Sequence, residues 1–308
     1  MKIGIVGCGA MGCVYAGLLS EAGHDVWAID QWQAHVEAIR DNGLRLDGIS
    51  GDRAITLKAT ISPADVGPCD LIVLATKTMH VAAAARDMAP LIGEGTLVVS
   101  IQNGLGGPDA AARELGQTPV ITGVASGFGA SIRGPGSAHH NGMELIRFGN
   151  RGGPVTPELE NIAETWRQAG FKVRTFDDID QLVWEKLICN VCFSGTCAIT
   201  ERTIGEVMED PDAWTVASTC GEEVFQVAKA KKIAVDIQDS VAYLRDFGEK
   251  IPNARPSMLL DHMADRASEI DNINGAIPMA GKEVGVATPF NETVTALIRA
   301  KERRMGVR

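Results

Sequence analysis

A Rossmann-type doubly wound parallel sheet followed by an all-helical C-terminal domain is the fold class this sequence predicts, and three observations carry it. A glycine-rich turn, Gly7-Cys8-Gly9-Ala10-Met11-Gly12, joins an apolar β-type run to a helical one. Continuous apolar runs at residues 71–75 and 97–101 alternate with helical stretches, the texture of strands buried on both faces of a parallel sheet. After Asp177-Asp178 nearly every segment has helical spacing. A chain of 308 residues is long for one core and suits two domains, placed at residues 1–176 and 177–308.

The elements follow in order. Residues 2–6 are β-branched and apolar, residues 10–22 carry helical spacing through Met11, Val14, Tyr15, Leu18 and Leu19, and Gly23 stops that helix before a strand at 25–29. From 120 to 148 the texture changes to short β-type runs split by Gly127, Gly129, Gly134-Pro135-Gly136 and Gly142, which predicts hairpin strands at the far edge of the sheet. A helix at 157–169 and a strand at 172–176 close the first domain. Helices are expected at 181–199, 212–231, 239–251, 258–284 and 291–304, with no internal repeat.

Composition narrows the function classes. The hydrophobic fraction of 45% and charged fraction of 22% are those of a globular protein. A formal net charge of -10, with acids spread along the chain, offers no basic surface for nucleic-acid phosphates or an anionic membrane, so neither partner is expected. No apolar stretch near Met1 has the length of a signal peptide or membrane helix, and the expectation is a cytoplasmic protein. Seven cysteines, an odd number, suit reduced core positions rather than a disulfide framework; Cys189 and Cys192 have metal-knuckle spacing but no second pair, and no metal is expected.

The glycine turn fits G-x-G-x-x-G between a strand and a helix. Gly7 permits the tight turn, Gly9 lets backbone approach a pyrophosphate, and Gly12 allows close packing at a helix N-terminus that favours anions; Cys8, Ala10 and Met11 complete the loop. Asp30 ends the next strand, about 20 residues on, where a ribose-binding carboxylate belongs. Two more strand ends, Thr76-Lys77 and Gln102-Asn103-Gly104, point to the carboxyl side of the sheet, where ligands of open parallel sheets bind. Lys77 reads either as a contact to cofactor phosphate or as a solvated loop lysine. Asn103 offers an amide to nicotinamide or to a substrate oxygen, or else Asn-Gly simply makes a turn.

In the second domain the apolar run from Trp184 to Ser194 reads as a buried helix whose Lys186, Asn190 and Ser194 form one polar stripe at i, i+4, i+8. A desolvated lysine beside a carbonyl can donate a proton as hydride arrives; the alternative is a snorkelling side chain. Ser257 opens a further helix and would bind a carboxylate or cap the helix, and Glu269 would fix the lysine or a substrate hydroxyl or remain a solvated charge. His139, His140 and His262 show no partner spacing.

Taken in this order, GCGAMG, Thr76-Lys77, Gln102-Asn103-Gly104, Lys186-Leu-Ile-Cys-Asn190, Ser257-Met-Leu and Glu269-Ile-Asp-Asn-Ile-Asn-Gly275 resemble the ketopantoate reductase (2-dehydropantoate 2-reductase) family across essentially the whole chain. The resemblance implies that Lys186 is the general acid, that Glu269 is an essential partner, and that Asn103, Asn190 and Ser257 orient a small 2-oxoacid reduced to its D-2-hydroxyacid, a step of pantothenate biosynthesis when the substrate is ketopantoate. Two departures touch the substrate side. Ser194 stands where the family carries another asparagine, followed by Gly195-Thr196-Cys197 instead of Pro-Leu-Thr, and the Pro-Asn-Gly near Thr203-Ile204-Gly205 is absent. The competing readings are a 3-hydroxyacid dehydrogenase-like enzyme, whose Gly-Gly substrate loop is not visible, and a non-catalytic dinucleotide sensor, which would need none of Lys186, Asn190 and Glu269. For the cofactor, Asp30 with no Arg or Lys after it until Arg40 favours NAD(H), with NADP(H) as the alternative through Lys77. A homodimer is compatible with the sequence.

Overall fold

The computed structural model describes residues 1–127 and 129–308. They separate into two compact units, residues 1–102 with 106–179, and residues 103–105 with 180–308.

The first unit runs β1 (Lys2–Val6), α1 (Ala10–Glu21), β2 (Asp25–Ile29), α2 (Gln33–Asn42), β3 (Leu44–Gly48), β4 (Arg53–Ile55), β5 (Lys58–Thr60), β6 (Leu71–Leu74), α3 (Val81–Asp87), β7 (Leu97–Ser100), α4 (Gly107–Leu115), β8 (Val120–Ser126), β9 (Gly129–Gly134), β10 (Ser137–Gly142), β11 (Leu145–Gly149), α5 (Pro157–Gln168) and β12 (Val173–Thr175). An eight-stranded sheet has the order β12-β11-β8-β7-β6-β1-β2-β5. Its strands pair in parallel except at β8–β11. Every residue of β6 is buried, because helices cover both faces of a parallel sheet and leave no side for alternating polar residues.

The expectation of hairpins at the far edge needs correction. β8 and β11 do join the large sheet, but β9 and β10 leave it and form a second sheet of order β4-β3-β10-β9. There β10 runs parallel to β3, with Ala138 opposite Leu46, a pairing too distant in sequence for local patterning to reveal. α1 packs against strands of both sheets. That double contact explains why Gly12 to Leu19 are buried without interruption, leaving the helix apolar nearly all round. Tyr15 on α1 meets Trp166 on α5 at 5.0 Å, and Trp166 meets Phe148 edge-on at 5.2 Å, the aromatic centre of the core.

The second unit is helical: α6 (Ile179–Thr200), α7 (Ile204–Glu209), α8 (Pro211–Ala230), α9 (Ser240–Lys250), α10 (Ser257–Met263), α11 (Ile277–Val284) and α12 (Pro289–Met305). α6 is long and apolar enough to cross a membrane by composition, but 67% of its most apolar window is buried inside the protein, as befits a central core helix. The short α7 was not expected; its capping box of Thr203 and Glu206 gives the Thr203 segment a structural task.

The single helix expected at 258–284 is instead two. α10 ends at Met263, Asp265 takes a left-handed φ of 50°, and α11 begins at Ile277. Between them Ser268 and Glu269 are buried. The break is stabilised from α12, where the wholly buried Glu302 accepts hydrogen bonds from Ser268 N (2.8 Å), Ser268 Oγ (2.6 Å) and Arg308 Nη1 (3.0 Å), with His262 Nε2 at 3.2 Å. Four groups converging on one carboxylate outweigh the helical bonds the segment gives up.

Candidate functional site

The glycine turn is built by close backbone approach. Gly7 has φ +89°, its amide donates to Ile29 O at 2.9 Å, and a Cβ there would lie 2.6 Å from Thr76 N. A Cβ on Gly12 would lie 2.1 Å from Gly7 O, so only glycine fits at either position. Gly9 is different: a Cβ there would meet nothing within 4 Å. Nothing in the unit needs that glycine for packing, which leaves open space beside the N-terminus of α1. That terminus has no side-chain cap and no acidic residue in its first turn, so the amides following Gly9, at Ala10 and Met11, and the positive end of the helix dipole are left for an anion. These residues fit a dinucleotide pyrophosphate.

Asp30 follows β2 directly and is half-buried. Its Oδ1 accepts from Trp32 N at 2.9 Å, and among the described residues no Lys or Arg pairs with it. Lys77 is half-buried just after β6, at the start of a short turn of helix. Gln102 serves the sheet, accepting from Ser100 Oγ and donating to Leu74 O.

The second unit assembles the other candidates. Lys186, Asn190 and Ser194 lie on successive turns of α6; the first two are half-buried and Ser194 is buried. Lys186 Nζ donates to Asn103 Oδ1 at 2.7 Å, so the strand-end asparagine and the helix lysine meet. The loop carrying Asn103 is clamped by Asn272: Leu105 N donates to Asn272 O at 2.8 Å and Asn272 Nδ2 donates to Leu105 O at 3.0 Å. Gly104, with φ +79°, is required there because a Cβ would sit 2.2 Å from Asn272 O. The Gln-Asn-Gly motif and the Glu269–Gly275 motif therefore meet through their backbones.

Glu269 is buried, which removes the reading of it as a solvated charge. Its carbonyl accepts from Asn272 N and Ile273 N, so it opens the turn that presents Asn272. Ser257 is exposed at the first position of α10, and since Pro256 is the cap residue, the serine side chain does not cap the helix. Of the predicted residues, Lys186 and Asn103 are brought into direct hydrogen-bond contact, Asn190 and Ser194 share α6 with Lys186, and Ser257 is exposed.

Three residues with structural hold on the site were not singled out from the sequence: Asn272, Asn274 and Glu302. Asn274 is fully buried and donates to Val191 O (3.0 Å) and Asn291 Oδ1 (3.1 Å), tying its turn to α6 and α12. The usable signal was two asparagines inside the apolar run Ile270 to Ile277, since a polar side chain in such a setting has to be hydrogen-bonded. Cys189 and Cys192 are buried in α6, and burial pushes the Cys189 thiol up to about 12.

The order of these motifs and the two-unit fold are matched by known proteins. Residues 3–153 match the family described as ketopantoate reductase PanE/ApbA, and residues 178–302 match its C-terminal domain. The chain belongs to the ketopantoate reductase PanE/ApbA family. It is 30% identical to the 2-dehydropantoate 2-reductase of Lactococcus lactis subsp. lactis (strain IL1403), covering 98% of both chains. Among solved structures it is similar to a PanE/ApbA family ketopantoate reductase from Ralstonia eutropha JMP134 (33% identity, TM-score 0.91, 99% of this chain and 100% of that one). It is equally similar to D-mandelate dehydrogenase solved with NADH and anilino(oxo)acetate (30% identity, TM-score 0.92, 100% of both chains). This member of the ketopantoate reductase family is accordingly an NAD(P)-dependent oxidoreductase.

Proposed function

We propose that the enzyme reduces a branched 2-oxoacid, with ketopantoate first among candidates, to the D-2-hydroxyacid, using NADH in preference to NADPH. The observation that carries this reading is the Lys186–Asn103 hydrogen bond. Asn103 Oδ1 accepts one ammonium proton at 2.7 Å, which orients Nζ as the candidate proton donor to a substrate carbonyl. The dinucleotide, when bound, supplies the hydride to the carbonyl carbon. Lys186 passes a proton to the carbonyl oxygen as it becomes a hydroxyl, and is reprotonated from water. Asn190 and Ser194, on the same face of α6, offer hydrogen bonds to the substrate, Ser257 a contact to its carboxylate, and the buried Glu269 fixes the geometry around Lys186. Preference for NADH rests on Asp30: its carboxylate suits a ribose 2′-hydroxyl and repels a 2′-phosphate, and among the described residues no Lys or Arg pairs with it to offset that repulsion.

A second reading, a dehydrogenase for an aryl 2-hydroxyacid, is favoured by Ser194, smaller than the asparagine of the family pattern, and by the likeness to D-mandelate dehydrogenase. Assays of ketopantoate, 2-oxoisovalerate, benzoylformate and oxaloacetate with each dinucleotide separate them. The first reading predicts the highest kcat/KM for a branched 2-oxoacid with NADH. The second requires benzoylformate to lead, and turnover of none of the four contradicts both.

A further inference from the structure

The glycine turn carries a thiol pair on its buried side. Cys8 is 1% and Cys13 0% exposed, with their Sγ atoms in van der Waals contact at 3.7 Å. His35, also fully buried, places Nε2 3.4 Å from Cys13 Sγ, and the donor atoms of the three residues all lie within 4.8 Å of one another. Three soft donors so close invite a metal. The Gly136 amide argues otherwise: a backbone N–H can only donate, and it donates to His35 Nδ1 at 2.9 Å. Nδ1 is therefore unprotonated, and the proton of the neutral imidazole lies on Nε2, aimed at the Cys13 sulphur. A protonated Nε2 has no lone pair for a metal. Trp32, stacked on His35 at 5.0 Å, holds the ring plane in this arrangement.

What remains is a hydrogen-bonded dithiol, with Cys13 Sγ also donating to Cys8 O at 3.2 Å. The two ends sit in different local structure. Cys13 belongs to the first turn of α1, its amide bonded to Gly9 O at 2.8 Å. Cys8 lies between Gly7 and the uncrowded Gly9. A disulfide of about 2.05 Å requires the sulphurs to close most of the gap between them, and because Cys8 lies in the glycine turn itself, that closure pulls on the main chain that approaches the pyrophosphate.

We propose that Cys8 and Cys13 form a reversible redox pair: a hydroperoxide converts them to a disulfide, which distorts the glycine turn and weakens dinucleotide binding. The Cys13 sulphur attacks a peroxide oxygen, the O–O bond breaks, and Cys13 becomes a sulfenic acid as one water leaves. The Cys8 sulphur then attacks the Cys13 sulphur; the S–S bond forms, the S–O bond breaks, and hydroxide leaves with the Cys8 proton as a second water. Hydrogen bonding to Cys13 and then burial push the Cys8 thiol well above its ordinary range, so Cys8 keeps its proton and acts second.

The second half of the proposal rests on dinucleotide binding by the first unit, and the test separates the two. The full-length protein is treated with hydrogen peroxide, unreduced peptides are mapped by mass, and NADH and NADPH are titrated before treatment, after it, and after dithiothreitol. The expected result is a Cys8–Cys13 disulfide, an approximately tenfold loss of affinity for the preferred dinucleotide, and recovery on reduction. Cys13→Ala, or Cys13→Ser should the first not fold, keeps one affinity throughout. A pair that stays reduced, a disulfide formed elsewhere, or a Cys8–Cys13 disulfide with unchanged affinity overturns the proposal. An untreated protein that binds neither dinucleotide overturns the underlying reading whatever the peptide map shows.

Discussion

In the first unit the candidate site is made of main chain: Gly7 and Gly12 hold a turn that no Cβ allows, and the amides after Gly9 are the expected ligands. In the second it is made of side chains, with Lys186 on α6 aligned by Asn103 from a loop that Asn272 clamps in turn. A backbone site depends on which residue is absent at a few adjacent positions, so it is compact in sequence. A side-chain site depends on partners supplied from afar, so it is dispersed. Damage should differ accordingly, stopping cofactor binding in one unit and disturbing chemistry or stability in the other.

The largest effect on stability is expected in the second unit. Glu302→Ala removes the acceptor for Ser268, Arg308 and His262, and truncating a buried charge of this kind costs about 3–5 kcal/mol. Burial raises the Glu302 pKa, but its hydrogen bonds to Ser268, His262 and Arg308 prevail and hold it below the usual carboxylate range. Its stabilisation is thus present above the unfolded pKa, about 4.3, and is lost as pH falls through the folded value. Thermal unfolding of wild type and Glu302→Ala should differ most near neutrality and converge in strong acid. A gap that persists in acid would mean the carboxylate charge is not what holds the loop.

The glycine turn sharpens the contrast within the first unit. Gly12→Ala drives a Cβ into Gly7 O and should destabilise by about 1–3 kcal/mol as well as weaken dinucleotide binding. Gly9→Ala meets open space, so stability should stay within about 0.5 kcal/mol while affinity falls. Unfolding curves and dinucleotide titrations on both variants check this; unchanged affinity in Gly9→Ala would mean that the pyrophosphate does not approach there. The smallest effect expected is at Asp30. Asp30→Arg should shift the kcat/KM ratio of NADH to NADPH toward NADPH by about tenfold, one 1.4 kcal/mol step, and no shift would mean that Asp30 turns away from the ribose.

The same contrast explains how much could be read from the sequence. The glycine turn, its flanking strand and helix, and Asp30 fall within 30 residues, and the alternation of strand and helix continues from there. The small sheet was illegible because β3 pairs with β10, from which four strands of the large sheet, β5 to β8, separate it in sequence. The helix expected at 258–284 failed for a related reason: helical spacing persists through it, but Glu302, beyond the segment, offers Ser268 better partners than another turn of helix would. Lys186 and Asn103 each stood out locally, whereas the hydrogen bond between them and the Asn272 clamp are tertiary facts.

The central claim is that Lys186 is the proton donor, aligned by Asn103, in an oxidoreductase whose cofactor is held by other residues. Measuring turnover and the NADH dissociation constant on one preparation of Lys186→Ala tests it most directly. The account predicts a loss of roughly 10²–10⁴ in kcat with the dissociation constant nearly unchanged. Turnover close to wild type would contradict it.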